Sequence, residues 1–199
     1  MIKILSMTGC GYARQTIGDS IITVELKSVN SRYLDLNLKL PRMYSRCEEK
    51  IKADAEYSEE NADFTIAFMH WGTEYSSKPD EAQKALALKM CEWGVDLIVG
   101  SHPHVIEPVD LLTSETNPEH KTVCIYSLGN LVSNQRRERM NLSTGHTEDG
   151  VLFSVTFAKY SDGTVRLEGC DLLPTWVNMF NSKALGGKKV YQIIPLDTA

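Results

Sequence analysis

The stretch from Gly94 to His104, with the sequence GVDLIVGSHPH, decides the fold of this chain. Its apolar run from Val95 to Val99 predicts a buried strand, and Gly100-Ser101 opens a loop directly behind it. Two histidines one residue apart at such a strand end have the spacing of a metal-ligand pair, and Pro103 between them stiffens the loop. Open α/β sheets bind their ligands at the carboxyl ends of the strands, so this loop is the first place to expect a site.

The residues before this stretch complete a β-α-β unit. A strand is predicted over 64–69, and His70 follows it directly. A helix is predicted from Pro79-Asp80-Glu81, because proline and acidic residues suit its first turn, to a stop at Gly94. Parallel strands joined in this way bring their carboxyl ends to one sheet edge, so His70 and His102 are expected near each other.

The flanking segments predict antiparallel strands on both sides of this core. Period-two alternation over 20–40, with a turn at 29–32, indicates a hairpin, and the polar segment 43–60 indicates a helix or a connector. Strands at 151–159 and 164–173 are joined by an Asp-Gly turn. We therefore predict an α/β fold with a β-α-β core and C-terminal antiparallel strands, preceded by an N-terminal hairpin.

The remaining segments carry less information. A third core strand is expected at 122–126, running into Gly129-Asn130. The polar segment 131–148 is expected to be a solvated, mobile loop, including its basic cluster. The residues around 174–176 and 193–196 are expected to form short extended pieces that close the chain.

Composition limits the class of protein. The chain has 199 residues, a formal net charge of −5 and five widely spaced cysteines with no Cys-x-x-Cys pair. Acidity argues against nucleic-acid binding by the molecule as a whole, and the cysteine pattern argues against a disulfide framework. Because the first residues lack the long apolar run of a signal peptide and no stretch is long enough to span a bilayer, we expect a cytoplasmic protein.

From about residue 61 to 196 the chain resembles the C-terminal part of the CapA family. These are capsule and poly-γ-glutamate synthesis proteins with a metallophosphatase-like (calcineurin-like) fold. The resemblance rests on four ordered blocks, which are FMHWGTEY at 68–75, GVDLIVGSHPHV at 94–105, YSLGN at 126–130 and PTWV at 174–177.

The first fifty residues resemble a different family, the YicC endoribonucleases. The matching blocks are SMTG at 6–9, VELKSVNSRYLD at 24–35 and Leu40-Pro41, with a departure at Ser31, where that family usually has histidine. The two resemblances imply a YicC-like β segment over 1–50 and a CapA-like domain over 51–199. They also make RNA a possible partner of the N-terminal segment.

The CapA resemblance implies a site and its chemistry. His70, His102 and His104 would bind a divalent metal (zinc, manganese or iron), His70 and Glu74 would be catalytic, and Asn130 would contact the substrate. The expected chemistry is metal-assisted hydrolysis or transfer at an anionic polymer or a phosphate ester. Family members are often membrane-associated or extracellular.

The same resemblance implies that the site is incomplete. In metallophosphatase-like folds the first half of the domain supplies carboxylate, asparagine and histidine ligands, and that half has no counterpart in this sequence. Two divalent ions need bridging and flanking carboxylates to offset their repulsion, whereas three imidazoles and Glu74 can hold one ion such as zinc. We therefore expect the chain alone to be inactive as a metal-dependent hydrolase.

Two alternatives remain open at this point. The chain could be an RNA-binding or endoribonuclease-related module led by its YicC-like hairpin. It could also be a hybrid without an evolved function, in which case exposed strand edges would favour aggregation.

Overall fold

The computed structural model describes residues 8–17, 20–29, 34–39 and 48–196, the first three ranges by their backbone alone. Ten strands and three α-helices are present in these ranges. In chain order they are β1 (Thr8–Ile17), β2 (Ser20–Val29), β3 (Leu34–Lys39), α1 (Glu48–Asn61), β4 (Ile66–His70), α2 (Glu81–Glu92), β5 (Leu97–Ser101), β6 (Val109–Thr113), β7 (Lys121–Ile125), α3 (Arg137–Met140), β8 (Asp149–Lys159), β9 (Val165–Ser182) and β10 (Lys188–Pro195).

Seven strands form one mixed sheet in the order β1-β2-β3-β4-β5-β7-β6. The N-terminal strands pair antiparallel, β1 with β2 and β2 with β3, which confirms the hairpin predicted from the alternation. Parallel pairing then joins β3 to β4 and β5 to β7, and β6 closes the sheet antiparallel to β7. The predicted α/β class with parallel and antiparallel strands is confirmed.

Both long helices cover the same face of this sheet. Met69 on β4, Met90 on α2 and Ile51 on α1 are all buried and line one small cavity between the helices and the sheet. The opposite face of β4 is open, since the Phe68 side chain is 38% exposed. Parallel sheets normally carry helices on both faces. At β4 the two helices lie on one face, whereas Phe68 on the other face is partly exposed.

Helix α2 begins and ends where its sequence signals predict. The Asp80 carboxylate accepts from the Gln83 backbone N–H at 2.8 Å, and the Gln83 side chain accepts from the Asp80 N–H at 2.9 Å, which is a capping box. At the other end Gly94 has a φ of +85°. Glycine adopts that left-handed conformation without a steric penalty, so the chain can turn directly into β5.

Asp96 fastens the starts of two core strands together. Its Oδ2 accepts from the Thr65 backbone N–H at 2.6 Å, and its own N–H donates to the Thr65 carbonyl oxygen at 3.0 Å. Burial, the largest cause, raises the pKa of Asp96 to about 6, with Glu59 adding repulsion, while the Thr65 hydrogen bond and the charge of His120 lower it. The charged form of the Asp96 carboxylate therefore lowers the free energy of unfolding.

This cost predicts a pH-dependent stability. Between pH 3.8 and about 6 the folded protein keeps the proton on Asp96 while the unfolded chain has released it, so stability falls as the pH rises through that window. The loss amounts to about 3 kcal/mol. Asp96→Asn keeps an acceptor for the Thr65 N–H and should remove this part of the pH dependence. Urea unfolding at pH 4 and pH 7 measures it, and identical pH dependence in the two proteins would contradict the assignment.

Three further strands form a separate antiparallel sheet in the order β10-β9-β8. The predicted hairpin is confirmed, because β8 pairs with β9 across the turn that contains Gly163 at a φ of +89°. The closing pieces expected at 174–176 and 193–196 are extended as predicted, but they are not short, because 174–176 and 193–195 belong to the long strands β9 and β10. Residues 174–176 continue β9, whose partner is β8 on one side and β10 on the other.

The expectation of a solvated basic loop is wrong for Arg136. Its side chain is 14% exposed and pairs with Glu148, itself 12% exposed, at 2.5 Å. Arg136 also donates to the Val177 carbonyl oxygen and lies 5.9 Å from the ring centroid of Trp176. A polar sequence cannot reveal these contacts, because each of them reaches residues more than ten positions away.

The contacts divide the chain into two compact units. The first comprises 1–71, 80–100 and 109–125, and the second comprises 72–79, 101–108 and 126–199. The boundary predicted near residue 50 stays a prediction. No helix within the described residues is long and apolar enough to cross a membrane, and the cytoplasmic location also stays a prediction.

Candidate metal centre

Two loops of the second unit bring three potential metal ligands together. Glu74 lies in the loop after β4, and His102 and His104 lie in the loop after β5. One ligand atom from each side chain lies within 4.8 Å of the other two. Glu74 is exposed and both histidines are half-buried, so the group is open to solvent.

The backbone of these loops is strained at both candidate histidine ligands and at Tyr75. Tyr75, His102 and His104 have φ values of 65°, 104° and 60°, and they are three of the four described non-glycine residues with positive φ. Such conformations cost about 1–3 kcal/mol each and cluster at functional sites. The Tyr75 N–H donates to the Pro103 carbonyl oxygen at 2.8 Å, which ties the two loops together.

His104 is enclosed by defined neighbours. The Tyr75 ring stacks on it with centroids 6.1 Å apart and an interplanar angle of 30°. The His102 ring lies 6.2 Å away at 55°. Asn130 Oδ1 lies 3.1 Å from His104 Nδ1, so this ring nitrogen has its hydrogen-bond partner within the protein.

The donor set suits one divalent ion. Two imidazoles and a carboxylate are a ligand set known from catalytic zinc sites, where the fourth position stays open. Ligand atoms around a tetrahedral zinc lie about 3.3 Å apart, so a spacing of up to 4.8 Å requires modest side-chain movement on binding. Three side chains cannot hold two ions against their mutual repulsion. The residues therefore fit a single metal.

The predicted site residues divide between the two units. Glu74, His102 and His104 come together in the second unit. His70 is the last residue of β4 and belongs to the first unit, and its predicted ligand and catalytic roles stay predictions. Asn130 was expected to contact substrate, and the structure directs its amide to His104.

Several residues that support the site carry no recognisable sequence signal. The carbonyl oxygen of Thr147 and the side chain of Gln135 both accept from Asn130, although neither belongs to a recognisable motif. Tyr75 stands inside the HWGTEY block, and its adjacency to Glu74 was the one available signal. Gly150 matters through its lack of a side chain, because the Asn130 carbonyl oxygen lies 2.4 Å from where its Cβ would be.

A cavity of about 390 Å³ in the first unit has a different character. Four of its ten lining residues are glutamates, among them Glu56, Glu59 and Glu92. Glu92 accepts from the Thr116 hydroxyl at 2.6 Å, from the Glu115 backbone N–H at 2.5 Å and from the Ser114 hydroxyl at 2.9 Å, and these bonds lower its pKa to about 2. Its oxygens thus fasten the loop that follows β6, so the cavity is not the candidate site.

Comparison with known proteins finds a family model and curated relatives that match this chain. The family model described as "Bacterial capsule synthesis protein PGA_cap" matches residues 5–135. The PGA biosynthesis protein CapA of Bacillus subtilis (strain 168) is 29% identical over 174 residues, and the capsule biosynthesis protein CapA of Bacillus anthracis is 34% identical over 143 residues.

The chain spans less than half the length of these relatives. The alignments cover 82% and 70% of this chain but only 42% and 30% of the two relatives. The matched residues include both loops that carry the ligand group and the segment that contains Asn130. The likeness of the first fifty residues to the YicC family stays a prediction.

Proposed function

Because the chain belongs to the bacterial capsule synthesis protein PGA_cap family, we propose that it serves capsule or poly-γ-glutamate synthesis by binding one divalent ion at Glu74, His102 and His104. The observation that carries the proposal is the convergence of these three ligand atoms within 4.8 Å on two loops of one unit. The family resemblance supports metal dependence, and the geometry supports these three ligands.

The substrate class follows from chemistry. A bound divalent ion supplies positive charge and an open position that attract and polarise a carboxylate, carbonyl or phosphoryl oxygen. Poly-γ-glutamate is a polymer of carboxylates, and a phosphate ester offers the same kind of oxygen. Glu74 is exposed beside the two imidazoles, which suits it to orient a polar group of the substrate. An RNA partner has no support among the described side chains, since the basic residues of the YicC-like hairpin that would contact RNA, Lys27, Arg32 and Lys39, have side chains outside them.

Activity requires more ligands than these three residues supply. We propose that this chain alone binds metal and polymer without turnover. The missing carboxylates of a two-metal site would be needed to place a second ion beside the first.

Calorimetric titration with Zn²⁺ and Mn²⁺ tests the proposed function. We expect about one ion per chain in the wild type and a large loss of affinity in His102→Ala. Poly-γ-glutamate should then bind more tightly with metal than without it, and a chromogenic phosphate ester should stay uncleaved. A stoichiometry far below one ion per chain, or a His102→Ala variant with unchanged metal affinity, would contradict the proposal.

A further inference from the structure

We propose that Asn130 is a positioning residue that fixes the proton of His104 on Nδ1 and so leaves Nε2 to bind metal. The inference deepens the proposed function and rests on it for the role of the metal. Its geometric part, the position of one proton, stands on hydrogen bonds among described residues of a single unit.

The orientation of the Asn130 amide is determined by its neighbours. Its Nδ2 lies 3.1 Å from the His104 carbonyl oxygen and 3.0 Å from the Thr147 carbonyl oxygen, and Gln135 Oε1 lies 3.1 Å away. Backbone carbonyl oxygens only accept hydrogen bonds. The NH₂ group must therefore face them, because the reversed amide would set its own oxygen against the two backbone carbonyl oxygens.

The orientation of the amide in turn determines the tautomer of His104. With NH₂ facing the carbonyls, Oδ1 is the atom 3.1 Å from His104 Nδ1. An amide oxygen only accepts, so Nδ1 must carry the proton and donate it. In the neutral ring the lone pair then resides on Nε2, which is the form that binds a metal ion.

The backbone of Asn130 is held beside His104 by residues 149 and 150. The Asn130 N–H donates to the Asp149 carbonyl oxygen at 3.3 Å. Gly129, with a φ of +69°, and Gly150 form an isolated bridge, and a side chain on Gly150 would collide with the Asn130 carbonyl. The backbone of Asn130 is thus held by a hydrogen bond and by close packing against Gly150, as a positioning residue requires.

The role of Asn130 differs from substrate contact. Both NH₂ hydrogens are shared among three protein acceptors, and Oδ1 is engaged by the His104 ring. A residue that acts through His104 should change metal affinity while it leaves the polymer contacts of the loaded protein intact. Outer-sphere partners of this kind change metal affinity by about 10–100-fold.

Nitrogen NMR of the metal-free chain of residues 1–199 tests the inference directly. Two-bond ¹H–¹⁵N correlations at about pH 8 report which imidazole nitrogen is protonated. We expect the Nδ1–H form for His104 in the wild type. In Asn130→Ala, which removes the acceptor, we expect a mixture of tautomers and metal affinity lower by about 10–100-fold.

Asn130→Asp separates positioning from stability. It keeps an oxygen for the Nδ1–H group, so the His104 tautomer should be retained. Its second oxygen faces the carbonyls of His104 and Thr147, so the melting temperature should fall. Asn181→Ala, at an exposed position on β9, serves as the control and should change neither the tautomer nor the affinity.

The outcomes distinguish this inference from the proposed function. An Nε2–H tautomer in the wild type, or an unchanged tautomer in Asn130→Ala, would overturn the inference. A tautomer that tracks the melting temperature through the variants instead of the presence of an acceptor would also overturn it. Failure of the wild type to bind any metal would overturn the proposed function and leave the tautomer result standing.

Discussion

Replacement of His104 by alanine is expected to weaken divalent-metal binding by more than about a hundredfold. Changes to outer-sphere partners already lower metal affinity by about 10–100-fold, and His104 is itself one of the three proposed ligands. The variant also removes the donor for Asn130 Oδ1 and the ring on which Tyr75 stacks. Competition with a chromophoric chelator, with Zn²⁺ as the probe, measures the loss.

His146→Ala is the matched control for this variant. His146 belongs to the same unit, its side chain is 61% exposed, and its Nδ1 lies 3.3 Å from Asp149 Oδ2. Such an exposed pair contributes little to stability. Metal affinity should therefore stay at the wild-type value. Equal losses in the two variants would show that binding is unspecific imidazole chemistry and would contradict the assigned centre.

The Gly150→Ala variant is expected to be strongly destabilised, because the added methyl group has no room. The new Cβ would lie 2.4 Å from the Asn130 carbonyl oxygen, 2.9 Å from its carbon and 3.1 Å from Thr175 Oγ1. Two of these neighbours are backbone atoms that cannot rotate away. Overpacking of this severity costs about 3 kcal/mol. For a chain of this length that lowers the melting temperature by about 6–12 °C.

Gly169→Ala supplies the contrast on the same sheet. No atom lies within 4 Å of its added Cβ, so its melting temperature should stay within a degree or two of the wild type. Gly150→Ala should in addition lower metal affinity, because relief of the collision moves Asn130 away from His104. A Gly150→Ala protein that melts normally would contradict the close approach of these two backbones.

Local patterns were sufficient to predict the elements whose sequence signal is complete within a few consecutive residues. The hairpin at 20–40, the capped helix α2 and the strand before GSHPH each carry a complete signal within a few residues. Strand β6 was missed, because Asp110 and the pair Leu111-Leu112 break the period-two alternation. Its strand conformation comes from antiparallel pairing with β7.

The candidate site was predictable only in its ligands. Glu74 and the histidine pair stand in recognisable blocks at strand ends. Their support comes from residues that are distant in sequence, such as Thr147, which bonds to Asn130 across 17 positions. Arg136 was misjudged for the same reason, since its polar surroundings concealed a pairing across the fold with Glu148. Side-chain networks of this kind depend on tertiary structure and leave no periodic pattern in the amino-acid sequence.

The interleaving of the two units has a consequence for how this fold can be inherited. The second unit takes its segments from three places, and the two short ones, 72–79 and 101–108, carry Glu74 and both histidines. The exchange of one continuous stretch of gene therefore cannot move that unit alone. A crossover before residue 72 transfers all three candidate ligands together, whereas a crossover between residues 80 and 100 separates Glu74 from His102 and His104.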